Sequence, residues 1–174
     1  MSTHTHTPVK SITLLGVLTA MQIMLNSLLS VQFLTTKIAF TFVVIAITAR
    51  LFSPLVTAGS TALAYFLGMV LFPKFTFFPG FILTAFLTGL VFGMAFQQRT
   101  SLTRILLANF VVLFILNLLL NSLWLHIMYM TPWSALLTTR FIQEIVSYLV
   151  YTTVLVLLFR VPIINQLTTR FNAK

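Results

Sequence analysis

Hydrophobic positions dominate this chain, and its charges fall singly between long apolar intervals, so the intervals themselves outline the elements. Uncharged stretches run over 11–36, 51–73, 75–98 and 105–139, and over 141–159 with Glu144 as the one interruption. Each meets the roughly 20 residues that a helix needs to cross a bilayer. A sixth stretch, 38–49, is shorter, but Lys37 and Arg50 flank it and can extend their charged ends toward the interfaces. The pattern predicts an all-α membrane protein: six transmembrane helices in a compact bundle over 11–30, 37–51, 54–72, 79–97, 104–126 and 138–160. Pro54, Pro73, Pro79 and Pro132 fall between these spans or at their edges and Pro162 follows the last, as residues that cannot continue a helix should. The corresponding organisation is a tail over 1–10, a transmembrane domain over 11–160 and a second tail over 161–174. The first apolar stretch is long and lacks a small-residue cleavage site, so it is expected to stay as helix 1.

Charge gives the bundle an orientation. Lys10, Arg50, Arg99, Arg104, Arg160, Arg170 and Lys174 fall on the side of the termini, against Lys37, Lys74 and Arg140 on the other. Positive charge collects on the cytoplasmic side, which places both termini there. The localisation expected is a cell membrane, multi-pass, of the bacterial plasma-membrane kind. Composition then narrows the chemistry. Of 174 residues, 59% are hydrophobic and 6% charged, and ten Lys and Arg face a single acid. A net charge of +9 in a soluble chain would suggest nucleic acid, but bases scattered between apolar runs do not form a nucleic-acid surface. Without cysteine or aspartate there are no disulfides, thiolate metal sites or Asp-based dyads, and no metal site is expected. No Gly-rich phosphate loop followed by Lys and Ser or Thr occurs, so the chain does not hydrolyse ATP and is not expected to be an enzyme. Ser60 sits in Ala58-Gly59-Ser60-Thr61, which is not the turn that exposes a nucleophile, and reads as a packing serine; His126 reads as interfacial.

What remains is a polar and aromatic group on the outer half. Lys37 opens the predicted helix 2, and Lys74 lies in the connection Pro73-Lys74-Phe75-Thr76-Phe77-Phe78-Pro79-Gly80, among aromatic rings. Asn117, Asn121 and Trp124 share a face of helix 5 by their spacing of four and three. Arg140 and Glu144, four apart, share a face of helix 6 beside Gln143. Arg140 and Glu144 either pair with each other or serve a ligand. Asn and Trp offer hydrogen bonds and a stacking surface to a flat heterocycle, and Lys and Arg offer partners to carboxylates. A planar anionic metabolite entering from outside suits such a pocket, with Lys37, Lys74, Phe78, Asn121, Trp124, Arg140, Gln143 and Glu144 as its candidate residues.

Several strings are also familiar. Lys37-Ile38-Ala39-Phe40-Thr41-Phe42, Phe72-Pro73 leading to Phe78-Pro79-Gly80-Phe81, and Leu83-Thr84-Ala85-Phe86-Leu87-Thr88-Gly89-Leu90 resemble the folate family of S components. These are the substrate-binding membrane subunits of energy-coupling factor (ECF) vitamin importers. Leu120-Asn121-Ser122-Leu123-Trp124-Leu125, followed after a gap by Arg140, resembles the same family's helix 5 and 6 pattern, and the likeness spans about 12–160. The resemblance implies six helices and a vitamin bound near the outer face. It also implies a transmembrane coupling subunit and two cytoplasmic ATPases as partners, so that ATP and Mg are bound by those partners and no cofactor by this chain. Gly16-Val17-Leu18-Thr19-Ala20 fills the place of the family's small-xxx-small docking pattern on helix 1. Internal bundle packing is the other use of such a pattern. Tyr65 stands where the family often has an acid, Gln143 and Glu144 where a Lys is common, and Lys74-Phe75-Thr76 where Gly and Pro are usual. Folate is the expected vitamin, with pantothenate or a cobalamin as alternatives. The resemblance further implies vitamin capture under connections 31–37 and 73–79, docking through Gly16 and Ala20, and toppling of the bundle to release vitamin inward. Outside this family, an autonomous small secondary carrier dependent on Glu144, or an assembly subunit that binds no small molecule, would account for the same spans.

Overall fold

In the computed structural model the described residues are 8–27, 31–33, 36–38, 40–73, 77–97 and 100–160, with side chains described for all but Pro8 and 31–38. Among them six helices form, and five are long and apolar enough to cross a membrane. In chain order they are α1 (Pro8–Ser27), α2 (Thr41–Leu51), α3 (Pro54–Leu71), α4 (Pro79–Phe96), α5 (Leu102–Tyr129) and α6 (Trp133–Arg160). Between α1 and α2 lies a short antiparallel hairpin, β1 (Val31–Phe33) against β2 (Thr36–Ile38), in register Val31 to Ile38, Gln32 to Lys37 and Phe33 to Thr36.

The hairpin is a small addition to the expected all-α bundle and corrects one expectation: Lys37 belongs to β2 rather than opening a helix. α2 is consequently only 11 residues long. At about 1.5 Å per residue it rises about 16 Å, roughly half of the hydrocarbon thickness. The other boundaries follow the prolines. Pro54 and Pro79 occupy first-turn positions of α3 and α4, where a missing N–H removes no helical hydrogen bond. α1 begins at Pro8, earlier than the predicted 11, and α6 begins directly after Pro132, a turn before the predicted 138. α5 ends with Met130 in the left-handed region at φ 51°, its N–H donating to His126 O at 2.9 Å. In the middle of α5, Val111–Leu120 winds as a π-helix.

One apolar core joins α2, α4, α5 and α6, with Phe42, Ala46, Phe92, Phe96, Leu113, Tyr151, Leu155 and Phe159 buried in it. Phe42 stacks on Tyr151 with ring centroids 3.8 Å apart, and Phe96 meets Phe159 at 5.1 Å. α3 and α4 approach through glycine. A Cβ on Gly89 would stand 2.8 Å from Ala58 Cα, and one on Gly93 would stand 2.5 Å from Pro54 Cα. Hydrocarbon lipid gives helices no hydrophobic reason to associate, so backbone approach of this kind supplies the dispersion contact that holds them. Buried Thr48, Thr57 and Thr61 return their hydroxyls to carbonyls four residues back, at 2.8 to 3.1 Å, so that these three hydroxyl donors are met within their own helices.

These contacts also sort the helix ends. Gly93 lies beside Pro54, so α4 ends where α3 begins; Gly68, near the other end of α3, lies beside Ser27 at the end of α1. Arg50 Nη1 donates to Phe96 O and Gln97 O, at 3.2 and 3.1 Å, and so places the end of α2 beside the end of α4. Lys10, Arg50, Arg104 and Arg160 therefore gather at one end of the bundle, with the hairpin and Arg140 toward the other. Ile12, Leu55, Leu63, Leu71, Ile142 and Leu149 are exposed on the outside of the bundle, an apolar surface suited to lipid.

Candidate functional site

A cavity of about 180 Å³ lies beside the first turn of α2. Thr41, Phe42 and Ile45 of α2 line it from one side. Gln22 and Asn26 of α1, Thr61, Ala64 and Tyr65 of α3, Phe81, Thr84, Ala85 and Thr88 of α4, and Asn117 and Asn121 of α5 complete the wall, with Tyr151 of α6 behind Phe42. Among the described residues of this lining no side chain carries a formal charge.

Its polar atoms are only partly satisfied from within the protein. Gln22 is 1% exposed and its Nε2 donates to Thr48 Oγ1 at 3.4 Å, but its Oε1 has no partner. Asn121 Nδ2 donates to Asn117 Oδ1 at 3.2 Å, and Asn121 Oδ1 likewise has no partner. The Thr41 hydroxyl, at the start of α2, is a third unpaired group on the same wall. Buried polar groups are nearly always bonded, and leaving one bare costs about 1–3 kcal/mol. Two residues of the cavity wall thus each keep an amide oxygen that has no partner within the protein.

The residues singled out from the sequence divide into three groups. Asn121 lines the cavity. Trp124 and Phe78 stand just outside it, with ring centroids 5.6 Å apart over the first turn of α4. Trp124 Nε1 donates to Thr84 Oγ1 at 3.0 Å, which ties this aromatic pair to a lining residue. A Cβ on Gly80 would come within 2.5 Å of Phe78 and 2.6 Å of Trp124, so the pair seats against α4 only because residue 80 has no side chain. Arg140, Gln143 and Glu144 form the second group, on α6 and off the lining. Arg140 Nη1 donates to Ser122 Oγ of α5 at 3.2 Å, while Glu144, 7% exposed, supplies the opposite charge one turn along. The hydrogen bond of Arg140 thus goes to α5, with Glu144 near it on the same helix. Lys74 and the side chain of Lys37 make up the third group and lie outside the described residues.

Gln22, Asn26 and Thr41 were not singled out from the sequence. A signal existed in Gln22 and Asn26, two amides four apart in an otherwise apolar helix, because polar residues within a membrane helix turn toward the bundle interior. Gly16 and Ala20, by contrast, are exposed on α1, and a Cβ on Gly16 would meet nothing within 4 Å. Internal packing is therefore not what these small residues do. Ser60 Oγ donates to Thr57 O at 3.0 Å within α3, and His126 Nδ1 lies 2.8 Å from Thr131 O beside the Trp133 ring, so both behave as structural residues.

The chain is similar to known proteins. Residues 10–159 match the family model of the ECF transporter substrate-specific component. The folate transporter FolT of Clostridium novyi (strain NT) is 32% identical over 136 residues, covering 78% of this chain and 79% of that protein. The folate transporter FolT of Leuconostoc mesenteroides is 29% identical over 164 residues, covering 90% of this chain and 88% of that one. Among solved structures, a crystal structure of FolT bound with folic acid superposes with a TM-score of 0.78 at 32% identity, over 83% of this chain and 88% of that one. With the family model spanning nearly all of the bundle, and long apolar helices throughout, the chain belongs to the substrate-specific components of ECF transporters, as a multi-pass protein of the bacterial cell membrane.

Proposed function

We propose that this chain is the folate-binding S component of an ECF importer. The observation that carries the reading is the uncharged cavity, with Gln22 Oε1 and Asn121 Oδ1 bare, in a chain similar to folate transporters. The pterin ring of folate is planar and carries an amino group and a ring N–H, which are the donors those oxygens need. At about 180 Å³ the cavity is smaller than the roughly 300–1,000 Å³ of sites that enclose a whole ligand, so it takes the heterocycle and leaves the glutamate tail toward the hairpin end. The tail's carboxylates are assigned to Lys37 and Lys74. Phe78 and Trp124 act behind Thr84 as an aromatic buttress of the wall. Pantothenate offers no ring to such a cavity, and a cobalamin far exceeds it.

In this reading both termini face the cytoplasm and the cavity opens outward. Vitamin is captured outside, and connections 31–37 and 73–79 close over it and exclude water from the charged contacts. The loaded chain docks through Gly16 and Ala20 on a transmembrane coupling subunit and topples to deliver its vitamin. Two partner ATPases, which bind the ATP and Mg, then reset the complex. The test is isothermal titration of the purified chain with folic acid, pantothenate and cobalamin under one set of conditions. One-to-one binding of folic acid alone is expected. A clear isotherm for either other vitamin with silence for folic acid would reassign the substrate, and silence for all three from folded protein would favour an assembly subunit.

A further inference from the structure

Arg140 is the residue that the sequence offers to a vitamin carboxylate, yet its guanidinium is engaged elsewhere. Its Nη1 donates to Ser122 Oγ at 3.2 Å across the interface between α6 and α5, and Ser122 is 0% exposed. Glu144, one turn along α6 and buried, already supplies the counter-charge that a cation in the membrane needs. No lining position of the cavity is occupied by Arg140.

Ser122 directly follows Asn121, and this pair sits where the π-helical turns of α5 give way to regular helix at Asn121. At such a junction the backbone ladder changes from i→i+5 to i→i+4 bonding, so the ladder alone defines the rotation of the following residues less tightly than in a uniform helix. Side-chain bonds fill that role here. From α4, Thr84 Oγ1 accepts from Trp124 Nε1 at 3.0 Å; from α6, Arg140 reaches Ser122. Next to these two ties is Asn121, a lining residue of the cavity whose buried Oδ1 has no partner within the protein.

We infer that Arg140 is a positioning residue for vitamin binding: its bond to Ser122 sets the rotation of α5 that aims Asn121 Oδ1 into the cavity, and Arg140 itself does not touch the ligand. The inference rests on the folate reading and extends it to a residue off the lining. It separates from a direct carboxylate contact by ligand chemistry. A residue holding the glutamate tail matters only to ligands that have the tail, whereas a residue aiming Asn121 matters to the heterocycle alone.

The experiment is titration of the full-length purified chain with folic acid and with 6-hydroxymethylpterin, which has no carboxylate. Arg140→Ala is expected to weaken both ligands by the same factor, about tenfold, and Ser122→Ala to reproduce that loss. The double variant should lose no more than either single one, and in an Asn121→Ala background Arg140→Ala should cost less than about threefold. Arg140→Lys, which keeps a donor on the same side, should recover part of the affinity. Loss confined to folic acid would overturn the inference and make Arg140 a tail contact. Additive losses, or an undiminished Arg140→Ala effect without Asn121, would overturn it as well, by leaving Arg140 a general support of the bundle. Ser122→Ala removes only a hydroxyl and carries the test if Arg140→Ala does not fold. Failure of the unaltered chain to bind either ligand would instead remove the folate reading, an outcome distinct from the others.

Discussion

An amide in the middle of a membrane helix must either satisfy all its polar atoms or have a use for the one it leaves bare. Gln22 and Asn121 each spend their N–H group on a neighbour and keep an oxygen free at the cavity wall. Replacing either by an apolar residue of similar size removes a buried unmet acceptor, which relieves the empty protein, and removes a ligand contact, which harms the loaded one. Asn121→Leu and Gln22→Met are therefore expected to hold or raise the thermal midpoint of the vitamin-free chain while weakening folate about tenfold, as read by melting and titration side by side. A fall in both would mean that the oxygens support the fold instead. Sequence spacing found Asn121 and Trp124, because residues three and four apart on a helix share a face whatever they pack on. The same spacing put Arg140 and Glu144 on one face but could not say which helix that face meets. The answer, Ser122 of α5, depends on how α6 is rotated in the bundle.

At the scale of elements, α3 and α4 are held by what their glycines lack. The Cβ of Gly93→Ala would fall 2.5 Å from Pro54 Cα, a backbone atom in a rigid ring that cannot turn aside. The helices must separate, at a cost of about 1–3 kcal/mol. Gly93→Ala should lower the thermal midpoint in detergent by several degrees, whereas Gly59→Ala, whose Cβ meets nothing within 4 Å, should leave it level or raise it. Equal melting of the two would show that the α3–α4 approach is not tight. Helix ends were legible wherever proline marked them. The hairpin was not, since strands of three residues, Val31–Phe33 and Thr36–Ile38, are too short for alternation to register. α6 starts earlier than the predicted 138, at Trp133 directly after Pro132, and within its added turns Thr138 and Thr139 return their hydroxyls to Ser134 O and Ala135 O at 2.7 Å and so sit in a helix at no penalty. The π-helical winding of Val111–Leu120 left no trace in a run that is apolar on nearly every face.

For the whole molecule, two surfaces divide the work proposed for it. The cavity lies among α1–α6, and the small residues Gly16 and Ala20 are exposed on the outside of α1, flanked by exposed Val17 and Met21. Gly16→Leu or Ala20→Leu should leave vitamin affinity within about twofold while reducing recovery of the coupling subunit in pull-down and lowering uptake in reconstituted vesicles. Intact assembly in both variants would sink the docking claim. That class of surface was legible from the sequence as a pattern, but only the fold distinguishes an outward stripe from a buried one.

The half-length of α2 has a mechanical side. Arg50 clamps one end of this helix to the last carbonyls of α4, while its other end, at Thr41 and Phe42, borders the cavity and receives the chain from the hairpin. A short rod held at both ends keeps its place without a second anchor in the lipid, and here the two grips differ in kind: hydrogen bonds from Arg50 at one end and the stack of Phe42 on Tyr151 at the other, which ties the mouth of the molecule to α6.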